Sequence, residues 1–172
     1  VAAKRWPTII TRDQFKAVTN LEEFPEYLQK DLKDGNLNVF ANGEIIYQLK
    51  GVWAKVSVEW NYEAPPGGGD THYSVMRGTK CDLVIKQGKE DKFKPTLYVE
   101  NIKGVSAKDF AATVQKALTS LPYDSLTVES SGKNSLKINI PDKFRISHEG
   151  HFGHVTARFL EYLKAGKLPG WE

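Results

Sequence analysis

The stretch that decides the fold is Ala54-Lys55-Val56-Ser57-Val58-Glu59-Trp60, in which apolar and polar side chains alternate. Successive side chains of a strand point to opposite faces, so the apolar set shares one face and the polar set shares the other. One buried face and one polar face are typical of an antiparallel sheet. The stretch therefore predicts a strand that buries Trp60 in a core.

Similar strand patterns occur on both sides of this one. The predicted strands are residues 37–40, 44–49, 71–77, 80–87, 95–101, 126–129 and 136–140. Asn42-Gly43, between the first two, suits the type I′ turn of a hairpin. Residues 65–70 are so rich in proline and glycine that they predict a loop.

Helical patterns interrupt the strands at four places. The predicted helices are residues 11–18, 24–32, 106–121 and 149–164. Thr11 with Gln14, and Ser106 with Asp109, are capping boxes at the start of the first and third. The last helix is predicted to bury an apolar stripe, which consists of Phe152, Val155, Phe159 and Leu163.

The order of these elements lacks the alternation of strand and helix that a parallel, doubly wound sheet requires. Apolar residues make up 40% of the 172 residues and charged residues 26%, the balance of a globular chain with a core. We therefore expect a single α+β domain over residues 1–172, a mostly antiparallel open sheet with helices packed on one face.

Charge, hydropathy and cysteine content exclude several classes of partner and site. The net charge is +3 and the lysines are scattered, whereas a nucleic-acid-binding protein usually gathers them, so no nucleic-acid partner is expected. No apolar run reaches the roughly 20 residues that span a bilayer, so no membrane partner is expected. One cysteine, Cys81, excludes an internal disulfide and a multi-cysteine metal site. Val1 in place of methionine predicts a piece of a longer chain, and the compartment, cytoplasmic or periplasmic, stays open.

The densest titratable group is His148-Glu149-Gly150-His151-Phe152-Gly153-His154. Zinc proteases need His-Glu-x-x-His, because a spacing of four puts both imidazoles on one helix face, and here the spacing is three. The favoured interpretation is a solvated His154 and a His151 at the border of the apolar stripe. A substrate-facing role for His148 or His151 and, less favoured, a metal site remain alternatives.

A second polar group lies on the predicted strand 71–77. Tyr73 and Arg77 share one face of that strand, and His72 lies on the other. An arginine in a strand suits a carboxylate or a sugar hydroxyl and also a salt bridge across strands, which is the favoured interpretation. Trp53, on the polar side of its strand with Lys55, suggests a contact surface.

Nucleotide-binding motifs are missing from the sequence. Gly67-Gly68-Gly69 has no following helix to present to a phosphate, and no Gly-x-Gly-x-x-Gly, P-loop or Gly-x-Ser-x-Gly pattern occurs. No cofactor-binding residue is therefore expected in this chain.

Three stretches carry a family resemblance. Residues 56–65 are Val-Ser-Val-Glu-Trp-Asn-Tyr-Glu-Ala-Pro, residues 70–80 are Asp-Thr-His-Tyr-Ser-Val-Met-Arg-Gly-Thr-Lys, and residues 148–169 close the chain. Together they resemble the carboxy-terminal domain of Gfo/Idh/MocA-type oxidoreductases, the group of glucose–fructose oxidoreductase and inositol dehydrogenase. Within that group they are most similar to a Bacteroidetes-type subgroup, and the similarity covers nearly the whole chain.

The resemblance implies a parent chain with two domains. An amino-terminal Rossmann domain, absent here, would carry NAD or NADP and the catalytic lysine. The second domain would be an open sheet whose helical side builds the site for a sugar or polyol. Its bare side commonly packs against another subunit, so a homo-oligomer through the sheet is expected.

No catalytic residue is carried over, because none of the four histidines matches the family's catalytic histidine motif. Five residues are hypothesised to border the substrate pocket, namely His72, Tyr73, Arg77, His148 and His151. Two other functions remain open. One is a stand-alone sugar- or peptide-binding module that uses Trp53, and the other is a metal-dependent hydrolase built on the closing histidines.

Overall fold

The computed structural model describes residues 1–170, apart from the side chain of His148. The chain divides into two compact units, Val1–Gly69 and Asp70–Glu172. The α+β class and the antiparallel pairing of the strands are confirmed. The strands are distributed over two sheets, one in each unit, where the sequence predicted one.

The first unit is a four-stranded sheet with one α-helix. Its elements are β1 (Ala2–Ile10), α1 (Arg12–Thr19), a 3-10 helix (Glu26–Asp31), β2 (Leu32–Lys33), β3 (Asn36–Leu49) and β4 (Val52–Val58). β3 pairs with all three other strands. Thr11 and Gln14 form the predicted capping box. β1 was not predicted, and the helix predicted at 24–32 is the 3-10 helix.

The predicted hairpin at Asn42-Gly43 is wrong. β3 runs through these residues, and the chain reverses at Lys50-Gly51, whose φ angles of 47° and 82° are left-handed. Asn42 is buried, and its side chain hydrogen-bonds Thr8 and Trp60. A buried asparagine with two long-range partners stabilises the middle of a strand, where an exposed one would favour a turn.

The face of β4 that was predicted to be buried is exposed. Val56 is 49% exposed, Val58 58% and Trp60, just beyond the strand, 41%. The core of this unit lies instead around Ile10 on the opposite face, because the helical segments pack there. Its buried members are Ile10, Phe24 and Leu37, with Phe15 and Leu28 packed against them.

The second unit is a five-stranded sheet with two α-helices. Its elements are β5 (His72–Arg77), β6 (Cys81–Gln87), β7 (Thr96–Asn101), α2 (Ala107–Thr119), β8 (Thr127–Ser130), β9 (Ser135–Asn139), a 3-10 helix (Asp142–Phe144) and α3 (His148–Ala165). The strand order is β5-β6-β7-β9-β8. α2 covers one face, where Phe110 packs with Val99, Leu136 and Ile138.

α3 forms as predicted but does not bury its apolar stripe. Ser147 caps its first turn, and Gly166 ends it in the left-handed conformation. The four stripe residues, Phe152, Val155, Phe159 and Leu163, are between 62% and 67% exposed. The predicted burial is wrong, because no other element packs extensively on α3 within the described residues. Helical periodicity identifies an apolar face, whereas burial depends on what covers it.

Candidate functional site

The candidate residues lie on β5 and α3 in the second unit. Tyr73 is opposite Lys86 and Arg77 is opposite Asp82, so Tyr73 and Arg77 share a face as the alternation predicted. His72 lies on the other face of β5. His151 is an exposed residue of α3, and the side chain of His148 lies outside the described part. α3 does not pack extensively on β5, so the structure does not gather the four described candidates into one pocket.

Arg77 is held by a salt bridge across strands. Its Nη1 lies 3.0 Å from Oδ2 of Asp82, and Oδ1 of Asp82 accepts a hydrogen bond from the Gly78 N–H at 3.3 Å. Asp82 is buried, whereas the Arg77 side chain is 73% exposed. The favoured structural interpretation is therefore confirmed, and the exposed guanidinium is still accessible to a ligand.

The first turn of α3 stabilises the ionised carboxylate of Glu149. The backbone N–H of Glu149 and the Ser147 hydroxyl hydrogen-bond the Glu149 carboxylate, which lowers its pKa. A carboxylate in the first turn also favours the helix dipole. Among the described residues, no three histidine, cysteine or acidic side chains converge as metal ligands would.

Four residues that the sequence analysis did not single out share the face of Tyr73 and Arg77. They are Asp82, Lys86, Tyr98 and Glu100, and the six together are called the polar face of the second sheet. The alternation of polar and apolar residues in β6 and β7 contains the signal for these four. Their alignment with β5 depends on strand register, which the sequence does not specify locally.

Lys86 and Tyr98 are in contact on this polar face. Nζ of Lys86 lies 3.0 Å from Oε1 of Glu100 and 5.0 Å from the centroid of the Tyr98 ring. The Tyr98 hydroxyl donates to Oδ1 of Asp91 at 2.5 Å. That hydrogen bond, desolvation and nearby carboxylates raise the pKa of Tyr98 to about 12. Tyr98 therefore stays protonated at neutral pH, as a donor and not a base.

The chemistry available on the polar face is hydrogen bonding. Phenol, ammonium and guanidinium groups on one surface suit a ligand rich in hydroxyl or carboxylate oxygens. The charges of Arg77 and Lys86 are already balanced by Asp82 and Glu100. The face can thus bind and orient a polar ligand without carrying excess charge.

A separate charged cluster lies on the first sheet. Glu44 is only 16% exposed at its side chain, and Nζ of Lys55 and of Lys4 lie 2.7 Å and 3.5 Å from its carboxylate. The hydrogen bond from Lys55, with the charge of Lys4, lowers the pKa of Glu44. Trp53, on the same side of β4 as Lys55, is 67% exposed, and its role in a contact surface stays a prediction.

Comparison with known proteins identifies the family. Residues 1–172 match the family model described as "Putative oxidoreductase C terminal domain". The chain belongs to this oxidoreductase C-terminal domain family. A crystal structure described as a putative oxidoreductase from Parabacteroides merdae ATCC 43184 matches with a TM-score of 0.87 and 48% identity. No curated protein matches the chain.

The chain spans only part of that relative. The match covers 100% of the present chain and 40% of the other. Within residues 1–170, no helix is long and apolar enough to cross a membrane.

Proposed function

We propose that this chain is the substrate-binding and oligomerisation domain of an NAD(P)-dependent oxidoreductase of the Gfo/Idh/MocA type that acts on a sugar or polyol. The observation that carries the proposal is the match of all 172 residues to an oxidoreductase C-terminal domain that makes up 40% of the relative's chain. The other 60% has room for a Rossmann domain of about 150 residues.

The residues of this chain do not fit a dinucleotide site. A dinucleotide phosphate is usually bound at a helix N-terminus that follows a Gly-x-Gly-x-x-Gly turn, and neither α2 nor α3 follows such a turn. At α2, the carboxylate of Asp109 accepts a hydrogen bond from the capping Ser106 hydroxyl, so an acidic side chain lies where an anion would bind. The cofactor is therefore assigned to the remaining part of the polypeptide.

The chain's contribution to the reaction is binding and orientation. Bound in the remaining part of the polypeptide, the dinucleotide would supply the hydride chemistry, and residues outside this chain would supply acid–base catalysis. Tyr73 and Arg77 lie on the face opposite α2, and not on the helical side that the resemblance implies. They offer exposed donors to substrate hydroxyls, and Asp82 fixes the position of the guanidinium. Such positioning influences both KM and turnover, because misplaced substrate reacts slowly.

The test is steady-state kinetics of the full-length protein with NAD⁺ or NADP⁺ and a panel of sugars and polyols. Alanine substitutions at the five candidate residues, His72, Tyr73, Arg77, His148 and His151, are expected to raise KM or lower turnover. His154→Ala and Tyr27→Ala are the matched exposed controls and are expected to leave both constants unchanged. Unchanged kinetics at all five candidates would refute the substrate role.

Oligomerisation is assigned to the bare face of the first sheet. This name denotes the exposed apolar face of β3 and β4, formed by Ile45, Leu49, Val52, Val56 and Val58. An exposed apolar patch on a sheet is typical of a protein contact. Val56→Glu in the full-length protein is expected to dissociate a homo-oligomer in sedimentation analysis. Val18→Glu, on exposed α1, is the control, and an assembly unaffected by Val56→Glu would contradict the assignment.

A second candidate function is a stand-alone sugar- or peptide-binding module. The observation that favours it is the exposed Trp53 on the same face as the Lys4–Glu44–Lys55 cluster. Titration of residues 1–172 with sugars, followed by tryptophan fluorescence, tests it. Saturable quenching of the tryptophan fluorescence that is lost in Trp53→Phe and kept in Trp60→Phe would support the binding module. The absence of a response to any sugar would exclude a sugar-binding module.

A further inference from the structure

An apolar groove of about 840 Å³ runs alongside α2 in the second unit. Its floor is the α2-bearing face of the sheet, with Leu83 on β6 and Leu97 and Val99 on β7. Val114 and Leu118 of α2 form the wall. The lining is almost wholly apolar, so contact with water is unfavourable.

The dimensions of the sheet explain why the groove exists. Strands lie about 4.8 Å apart and a helix with its side chains is about 10 Å wide, so one helix covers about two strands. α2 packs over β8 and β9, at one side of the five-stranded sheet. On the same face, Met76 of β5 is 71% exposed and Leu83 of β6 is 41% exposed. The uncovered strands leave room for one more helix-sized element.

We propose that, in the full-length polypeptide, this groove is filled by an apolar helical segment from the part of the chain outside residues 1–172. The inference rests on the proposed function, in which this chain is one domain of a larger oxidoreductase. The solved relative shares this fold and has 60% of its own chain beyond the matched part. A segment tethered to the same chain meets the groove at an effective concentration in the millimolar range, which a second copy in dilute solution does not reach.

The polar rim of the groove specifies the chemistry of the segment. Lys80 and Lys103 lie at the end where Cys81 is paired with Asn101. Two ammonium groups there favour acidic side chains or the carboxyl end of a helix. The occupant is thus an amphipathic helix with an apolar stripe and a negative end beside Lys80 and Lys103.

α3 is not the occupant within the same chain. No described residue of α3 lines the groove, and its Val155, Phe159 and Leu163 are between 62% and 67% exposed. The whole of residues 1–172, α3 included, aligns with the solved relative at a TM-score of 0.87. The α3 of a second copy is the competing occupant, and the experiment below separates it from a tethered segment.

The reactivity of Cys81 reports whether the groove is covered. Cys81 is the sole cysteine of the 172 residues, lines the groove and is partly exposed. The experiment measures the rate of maleimide addition to Cys81, by peptide mass spectrometry, in residues 1–172 and in the full-length protein. We expect addition at least tenfold slower in the full-length protein. A cysteine introduced by Val18→Cys, on exposed α1, is the control and should react equally fast in both.

Two results would overturn the proposal. One is an equal rate at Cys81 in both proteins. The other is protection in residues 1–172 that grows with protein concentration, since that would identify a second copy as the occupant. In the full-length protein, Leu83→Glu should restore fast labelling, whereas Val18→Glu should not. If Leu83→Glu fails to fold, Val105→Glu, at another exposed residue of the groove, replaces it and should have the same effect on labelling.

Failure of the proposed function is measured separately. Suppose that the full-length protein protects Cys81 but oxidises no sugar or polyol with either dinucleotide. The groove proposal is then supported, and the oxidoreductase proposal is refuted. An active oxidoreductase with fast-labelling Cys81 gives the reverse outcome.

Discussion

The side-chain oxygen of Asn42 accepts a hydrogen bond from the backbone N–H of Trp60 at 2.6 Å. The Asn42 amide donates to Oγ1 of Thr8 at 2.9 Å, and the Thr8 hydroxyl donates to the Trp60 carbonyl. This closed network joins β1, β3 and the segment after β4.

Asn42→Ala is expected to lower the free energy of unfolding by about 1–3 kcal/mol, because it removes a buried hydrogen-bonding side chain and leaves the Trp60 N–H without its acceptor. Urea denaturation measures the change. Asn38→Ala, on the same strand, is the control and should cost far less. Equal losses for the two variants would contradict a structural role for the network.

Asp82 and Arg77 should contribute unequally to stability. Asp82→Ala removes the buried acceptor of both the Arg77 guanidinium and the Gly78 N–H, so a loss of about 1–3 kcal/mol is expected. Arg77→Ala removes an exposed partner and should cost less than about 1 kcal/mol. Thermal denaturation of both variants and of the double variant tests this, and a larger loss for Arg77→Ala would refute it.

Glu44 should make stability depend on acid pH. Its folded-state pKa lies below the ordinary 4.5, chiefly through the hydrogen bond from Lys55. A lowered pKa in the folded state gives stability that is fully present above the unfolded-state pKa and is lost as pH falls through the folded-state pKa. The gap in Tm between wild type and Glu44→Gln is therefore expected to be constant near neutral pH and to close in acid. A gap independent of pH would contradict this.

Tyr98 should ionise late in an alkaline titration. Its pKa is raised to about 12 from 10.0, first by the hydrogen bond to Asp91. A raised pKa for this acid gives stability that is present below pH 10.0 and is lost as pH rises toward about 12. Ultraviolet difference titration should reveal one late phenol, absent in Tyr98→Phe. Asp91→Asn should move it to lower pH, and Tyr27→Phe, at an exposed tyrosine, is the control that should leave the late ionisation in place.

The candidate site was predictable in part. Alternation alone put Tyr73 and Arg77 on one face of β5, and the register of β5 with β6 agrees. Lys86, Tyr98 and Glu100 join them only through the pairing of β6 and β7, which is a long-range property. The four hypothesised residues whose side chains are described do not meet in one pocket, because α3 does not pack extensively on β5.

The sequence by itself determined the local elements: the capped starts of α1, α2 and α3, the left-handed end of α3 at Gly166 and the strands β5 to β9. Their signals lie within a few neighbouring residues, where backbone preference and side-chain spacing act directly. Only the tertiary structure decided whether Asn42 lies in a strand or a turn, since its partners Thr8 and Trp60 are 34 and 18 residues away. It also decided that Trp60 and the stripe of α3 are exposed, because burial depends on which elements pack together and not on periodicity.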